Sequence, residues 1–210
     1  MVRSNPDGAS VHIAARFGEL PFTDLAMVAV DMPIGLPDSG RRGCDMAARA
    51  VLPPNRRSSV FLDFRRKLLD FPDYAAAIAW AKEDGKGFSK QAWNILPRIA
   101  DIDSWITPAH QRWVRECHPE LVFLRLNDFA PVPPKRTEEG LKLRRRLLRR
   151  NGITQLDALA KALPARRAAL DDLYDAAALM LAATRFGKGD GTCLGEGLCD
   201  ARGLRMGIWY

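Results

Sequence analysis

The run Leu25-Ala26-Met27-Val28-Ala29-Val30, closed by Asp31 and then by Pro33 and Gly35, constrains this chain more than any other stretch. Continuous rather than alternating apolarity marks a strand covered on both faces, as strands are in the middle of an α/β sheet. Pro33 removes a ladder donor and biases Met32 towards extended backbone, so the strand ends there. The expectation is an α/β fold with helices on both faces of a sheet.

The flanking sequence supplies the remaining elements. Asn5-Pro6-Asp7-Gly8 has strong turn chemistry, and Val11, Ile13, Ala15 and Phe17 alternate behind it, which predicts a hairpin whose first strand has only Met1 to Ser4. A short helix is expected over 44–52, followed by a loop carrying Arg56, Arg57, Ser58 and Ser59. The span from Asp73 to Glu116 reads as mainly helical, broken at Asp84-Gly85-Lys86-Gly87 and divided by Pro97 and Pro108. Leu121 to Leu124 predicts another strand, and residues 128–136, with three prolines, a loop. Glu138 to Arg150 predicts a helix whose acids lie at its start and arginines at its end, matching the macrodipole, with Asn151-Gly152 as the stop. A long helix is expected from Asp171 to Phe186 and a short strand in Leu204 to Tyr210. One sizeable domain, 1–210, accommodates all of this.

Several function classes drop out. The four cysteines form no C-x-x-C pair, which argues against a zinc ribbon and for reduced thiols in a cytoplasmic protein. The longest apolar stretch, Ala176 to Ala183, is far too short to cross a bilayer, and the N-terminal residues have no signal-like apolar core, so no membrane partner is expected. Trp80 stands where a Walker A loop ending at Gly85-Lys86 needs its first glycine, and no G-x-S-x-G elbow occurs. The net charge of +7 points to a polyanionic partner. Arg56, Arg57, Lys86, Ser89 and Lys90 are the candidate contacts to a phosphate backbone, and the arginines from 144 to 150 suit either that role or a solvated helix face.

The candidate chemistry is acidic. Asp31 follows a buried strand, the end at which open α/β sheets present their ligands, although an aspartate before Pro-x-Gly also suits a turn. Asp172 and Asp175, three apart, share one helix face, and Asp171 and Asp172 also suit capping. Glu120 stands between Pro119 and an apolar run, and His118 reads as an orienting rather than a metal-binding histidine. Carboxylates gathered from different elements bind hard cations through oxygen, Mg²⁺ or Mn²⁺ here, and two such ions about 4 Å apart serve phosphodiester cleavage.

These residues stand in motifs with a family likeness. Val28 to Pro37 (VAVDMPIGLP) resembles the V-D-x-P-I-G-L segment of the predicted RNase H-like nucleases grouped as domain of unknown function 429. The likeness continues in order through RGCDMAAR (42–49), RSSVF (57–61), GKGFSKQAW (85–93), ECHPE (116–120), DDLYDA (171–176) and GLRM (203–206). The resemblance implies an RNase H-like fold, a mixed and mostly five-stranded central sheet flanked by helices. It also implies Asp31, Glu120, Asp172 and Asp175 as catalytic metal ligands. The family usually opens with a strand carrying a G-V-D-G aspartate ahead of the hairpin turn, and this chain begins just short of that turn, so a truncated N-terminal strand is expected.

The functional expectation is a divalent-metal-dependent nuclease acting on DNA or RNA. Two alternatives remain beside it: a nucleic-acid-binding protein inactive for want of the first strand, and a metal-assisted hydrolase of a small phosphorylated substrate.

Overall fold

A computed structural model describes residues 1–5, 8–83, 85, 87–163, 168–195 and 197–210. In chain order the elements are β1 (Val2–Asn5), β2 (Gly8–Val11), β3 (Val28–Val30), α1 (Gly43–Val51), α2 (Tyr74–Glu83), α3 (Lys90–Trp105), β4 (Val114–Glu116), α4 (Pro119–Leu126), α5 (Glu138–Arg150), α6 (Leu156–Lys161), α7 (Leu170–Gly187), β5 (Cys193–Leu194) and β6 (Ile208–Trp209), with four 3₁₀ turns between them. The class is mixed α/β, as expected. Two compact units divide the chain: one of Met1–Asp31, Trp113–Thr192 and Tyr210, the other of Met32–Arg112 and Cys193–Trp209.

In the first unit, β1 and β2 form an antiparallel hairpin, with Val2 opposite Val11 and Asn5 opposite Gly8, but β2 ends at Val11 and the alternation through Ile13, Ala15 and Phe17 is not strand. β3 pairs in parallel with β4, Val28 opposite Val114 and Val30 opposite Glu116. α7 packs against both β1 and β3 and against α4 and α5. Its alanines permit this: Ala177, Ala178, Ala182 and Ala183 are buried together with Leu173, Leu179 and Phe186, so strands can approach the helix axis closely.

Three expectations need correction. First, the described residues hold three two-stranded sheets and not one mixed central sheet. β1 and β3 share α7 as a floor but do not pair with one another. Second, Leu121–Leu124 is not a strand but the buried heart of α4. A helix buried on nearly every side reads as a continuous apolar run, and period alone cannot separate the two cases. Pro119 at the first helical turn and His118 as its cap were the local signals for a helix. The partner strand of β3 lies just upstream instead, at Val114–Glu116. Third, Pro97 does not divide α3 but lies inside it. A mid-helix proline costs about 3 kcal/mol. Burial of Ala92, Leu96, Ile99 and Ile102 along one face of the helix offsets that, at roughly 1.5–3 kcal/mol for each large side chain.

The second unit is built on an apolar cluster of Leu36, Phe64, Leu68, Ala77, Ala81, Phe88, Ala92, Leu96 and Ile99. Arg65, fully buried, lies 4.6 Å over the ring of Trp80. The β5–β6 pair confirms the expected strand in the tail. No described helix is long and apolar enough to cross a membrane.

Candidate functional site

Parallel pairing of β3 with β4 brings the carboxyl ends of both strands to the same place. Asp31 follows Val30, and Cys117 N–H donates to the Val30 carbonyl at 2.8 Å. His118 and α4 continue from there, so Glu120, in the first turn of α4, faces the same region as Asp31. α7 contributes Asp175 from its second turn; Asp31 and Glu120 raise its proton affinity, and Glu120 raises that of Asp31. Thus three of the four predicted acids, Asp31, Glu120 and Asp175, act on one another electrostatically.

Their states differ. Glu120 is buried and accepts two hydrogen bonds from Arg144 Nη2, each at 2.8 Å. Arg144 is itself fully buried, donates through Nη1 to the Pro133 carbonyl at 2.7 Å, and lies 4.9 Å over the Phe123 ring. Both oxygens of Glu120 are thereby engaged in a buried ion pair.

Asp175 is held on one side only. Lys135 Nζ donates to Oδ2 at 2.7 Å and reaches Asp171 at 3.4 Å. The other oxygen, Oδ1, is buried with no hydrogen-bond partner. Burial raises the Asp175 pKa to about 6, and the charges of Asp31 and Glu120 add to the rise, while Lys135 opposes it. Burial would lower the Lys135 pKa, but its bonds to Asp175 and Asp171 outweigh that and raise it.

Asp31 makes no side-chain hydrogen bond or ion pair among the described residues. It is exposed to solvent and lines a cavity of about 510 Å³ within the first unit. Desolvation by neighbouring atoms raises its pKa, with His118 and Lys135 opposing and Glu120 reinforcing the rise. Asp172 stands apart: it is exposed, and its Oδ2 accepts from Ala169 N–H at 3.0 Å. Its predicted role as a ligand is corrected to that of a helix cap.

Among the described residues no three His, Cys, Asp or Glu side chains converge closely enough to hold a metal ion as they stand. Two carboxylates nevertheless retain free oxygens, Asp31 and Asp175. Mg²⁺ is commonly bound through one or two carboxylates, its own waters and substrate phosphate. By donor chemistry these are the oxygens that a hard cation would use.

The predicted phosphate contacts belong to the second unit. Ser89 caps α3, its hydroxyl accepting from Ala92 N–H at 3.1 Å, and Lys90 opens that helix, exposed. Arg57 Nε donates to the Leu52 carbonyl at 3.3 Å, and Arg56 is half-buried. Lys86 lies outside the described residues.

Nothing in the sequence marked the place of Lys135 among the acids. Arg144 was left open between a phosphate contact and a solvated helix face. The signal for Arg144 was present: Gly140, Arg144, Leu147 and Leu148 follow the spacing of one helix face, and all four are buried.

The family model described as "Protein of unknown function (DUF429)" matches residues 1–197. No curated protein and no solved structure matches the chain.

Proposed function

We propose, for a chain that belongs to the DUF429 family, a divalent-metal-dependent phosphodiesterase of the RNase H-like type acting on DNA or RNA. Asp31 and Asp175 are the carboxylates that take Mg²⁺ or Mn²⁺. The observation carrying this reading is Asp175 Oδ1, an acceptor buried without a partner in the combined negative field of Asp31 and Glu120. A buried polar atom left unsatisfied costs about 1–3 kcal/mol, and a hard cation meets that need as no apolar ligand does.

When bound, such an ion supplies Lewis-acid stabilisation of a phosphodiester oxygen and lowers the pKa of water. The protein's own groups do the rest. Asp175 must be ionised to serve, so its raised pKa of about 6 makes the site functional above that pH. Lys135, now compensating Asp171 and Asp175, is the cation that turns to a substrate phosphate once the acids are otherwise neutralised. Arg144 holds Glu120 in place without consuming the free oxygens of Asp31 and Asp175.

Incubation with single-stranded DNA, RNA and hybrid duplexes in Mg²⁺ or Mn²⁺ tests the reading. Cleavage that disappears in Asp31→Asn and Asp175→Asn, with helix content unchanged by circular dichroism, supports it. Equal cleavage in both variants contradicts the site. One observation favours the non-catalytic alternative: Lys135 already supplies a positive charge to Asp175 and Asp171 without any ion. That reading gives strongly salt-dependent binding of polyanions with no turnover in any metal.

A further inference from the structure

The 510 Å³ cavity in the first unit has walls of an unusual kind. One is β1 with Met1, the other is β3 with Asp31, and the floor is the stripe Ala176, Leu179, Met180 and Ala183 of α7. Both walls are strand edges. In the β1–β2 ladder, Met1 and His12 exchange both of their main-chain hydrogen bonds. Strict alternation along an antiparallel pair makes Arg3–Ser10 the next bonded pair and turns the N–H and C=O groups of Val2 and Ser4 away from β2. Ala9, opposite Ser4, confirms the alternation, since its N–H bonds outward to Gln155 Oε1. On the other wall, Val28 N–H donates to Trp113 and the Val30 carbonyl accepts from Cys117. The parallel ladder therefore turns Ala29 N–H and C=O away from β4. Val2, Ser4 and Ala29 all line the same cavity.

Main-chain groups of this kind have a strong requirement for partners. A lipid tail or an aromatic ligand would fill the volume but leave them unpaired. An extended peptide pairs with both edges at once, because strand addition uses main-chain hydrogen bonds for affinity and alternate side chains for selection. The size agrees. With a rise of about 3.3 Å, a strand spacing of about 4.8 Å and a layer spacing of about 10 Å, one residue in a packed sheet takes roughly 160 Å³. The cavity then holds about three residues of strand, the length of β3 itself. The floor of alanines, leucine and methionine sets the side-chain preference: small or medium apolar groups at every second position.

We propose that this cavity is a strand-acceptor site, which takes an extended peptide with alternating apolar side chains between β1 and β3. The proposal is independent of the metal reading, because binding and not turnover reports it.

The probe is a short capped peptide of alternating valine and threonine, compared with the same peptide N-methylated at alternate residues. Amide exchange of the full chain is followed by NMR. The plain peptide is expected to slow exchange at Val2, Ser4 and Ala29 by about tenfold or more, and the N-methylated peptide to leave it unchanged. Ala176→Phe, which raises the floor into the slot, is expected to abolish the effect. Equal action of both peptides would show a merely apolar pocket and overturn the proposal. Protection confined to other strand edges, or no binding at saturating peptide, overturns it as well. The comparison of the two peptides on the unaltered chain decides the matter even if Ala176→Phe fails to fold.

Discussion

Lys135 Nζ lies 2.7 Å from Asp175 Oδ2, while Oδ1 of the same carboxylate is buried and has no partner. One half of the acid is neutralised by the protein and the other half is left for something else. Burial and neighbouring acids together outweigh the lysine, so the group ionises only with difficulty.

That difficulty has a measurable consequence for stability. The Asp175 pKa is raised from 3.8 to about 6 on folding, so the native chain binds more protons than the unfolded one between those values. Stability contributed by this group is therefore present below about pH 4 and lost as pH rises through about 6. At 1.36 kcal/mol per unit the loss is on the order of 3 kcal/mol. Denaturant titrations at several pH values are expected to show this fall, and Asp175→Asn to flatten it. A curve of the same slope in the variant would refute the assignment.

Arg144 and Glu120 form an ion pair with both side chains buried. Arg144→Met leaves the Glu120 carboxylate buried and uncompensated, with an expected loss of about 3–5 kcal/mol. The double variant Arg144→Met, Glu120→Met removes both charges and is expected to recover most of that loss. Urea midpoints of the two variants check this, and a double variant as unstable as the single one speaks against it.

Gly140 permits the close approach of α5 to the loop that carries Lys135. A Cβ at this position would sit against the Pro134 carbonyl. Gly140→Ala gains up to about 1 kcal/mol of helix propensity. Steric displacement of the loop is nevertheless expected to dominate, with a net loss of roughly 1–3 kcal/mol. The melting temperature should fall accordingly, whereas a rise would show that the loop yields freely.

The fold was legible where local chemistry and period agreed. β3 followed from its continuous apolar run, and α5 from its charge gradient and its Asn151-Gly152 stop. α4 was not legible by period, because burial on nearly every side removes the polar face that identifies a helix. At the candidate site, position and spacing singled out Asp31 and Asp175. Lys135, whose charge opposes the raised pKa of both, and Arg144, which pairs with Glu120, were not singled out, because they come from a proline-rich loop and a different helix, and only tertiary packing brings them near. Asp172 was the reverse case: its spacing from Asp175 suggested a shared role, yet one helical turn separates a cap at the surface from an acid in the interior.

Binding of Mn²⁺ near pH 8, followed by titration calorimetry and electron paramagnetic resonance, tests the central claim without requiring a substrate. The account predicts one ion per chain, with affinity reduced about tenfold or more in Asp31→Asn and in Asp175→Asn and raised in Lys135→Met, where the competing cation is gone. Affinity that is unchanged in both aspartate variants, or the absence of any binding in the unaltered chain, would contradict it.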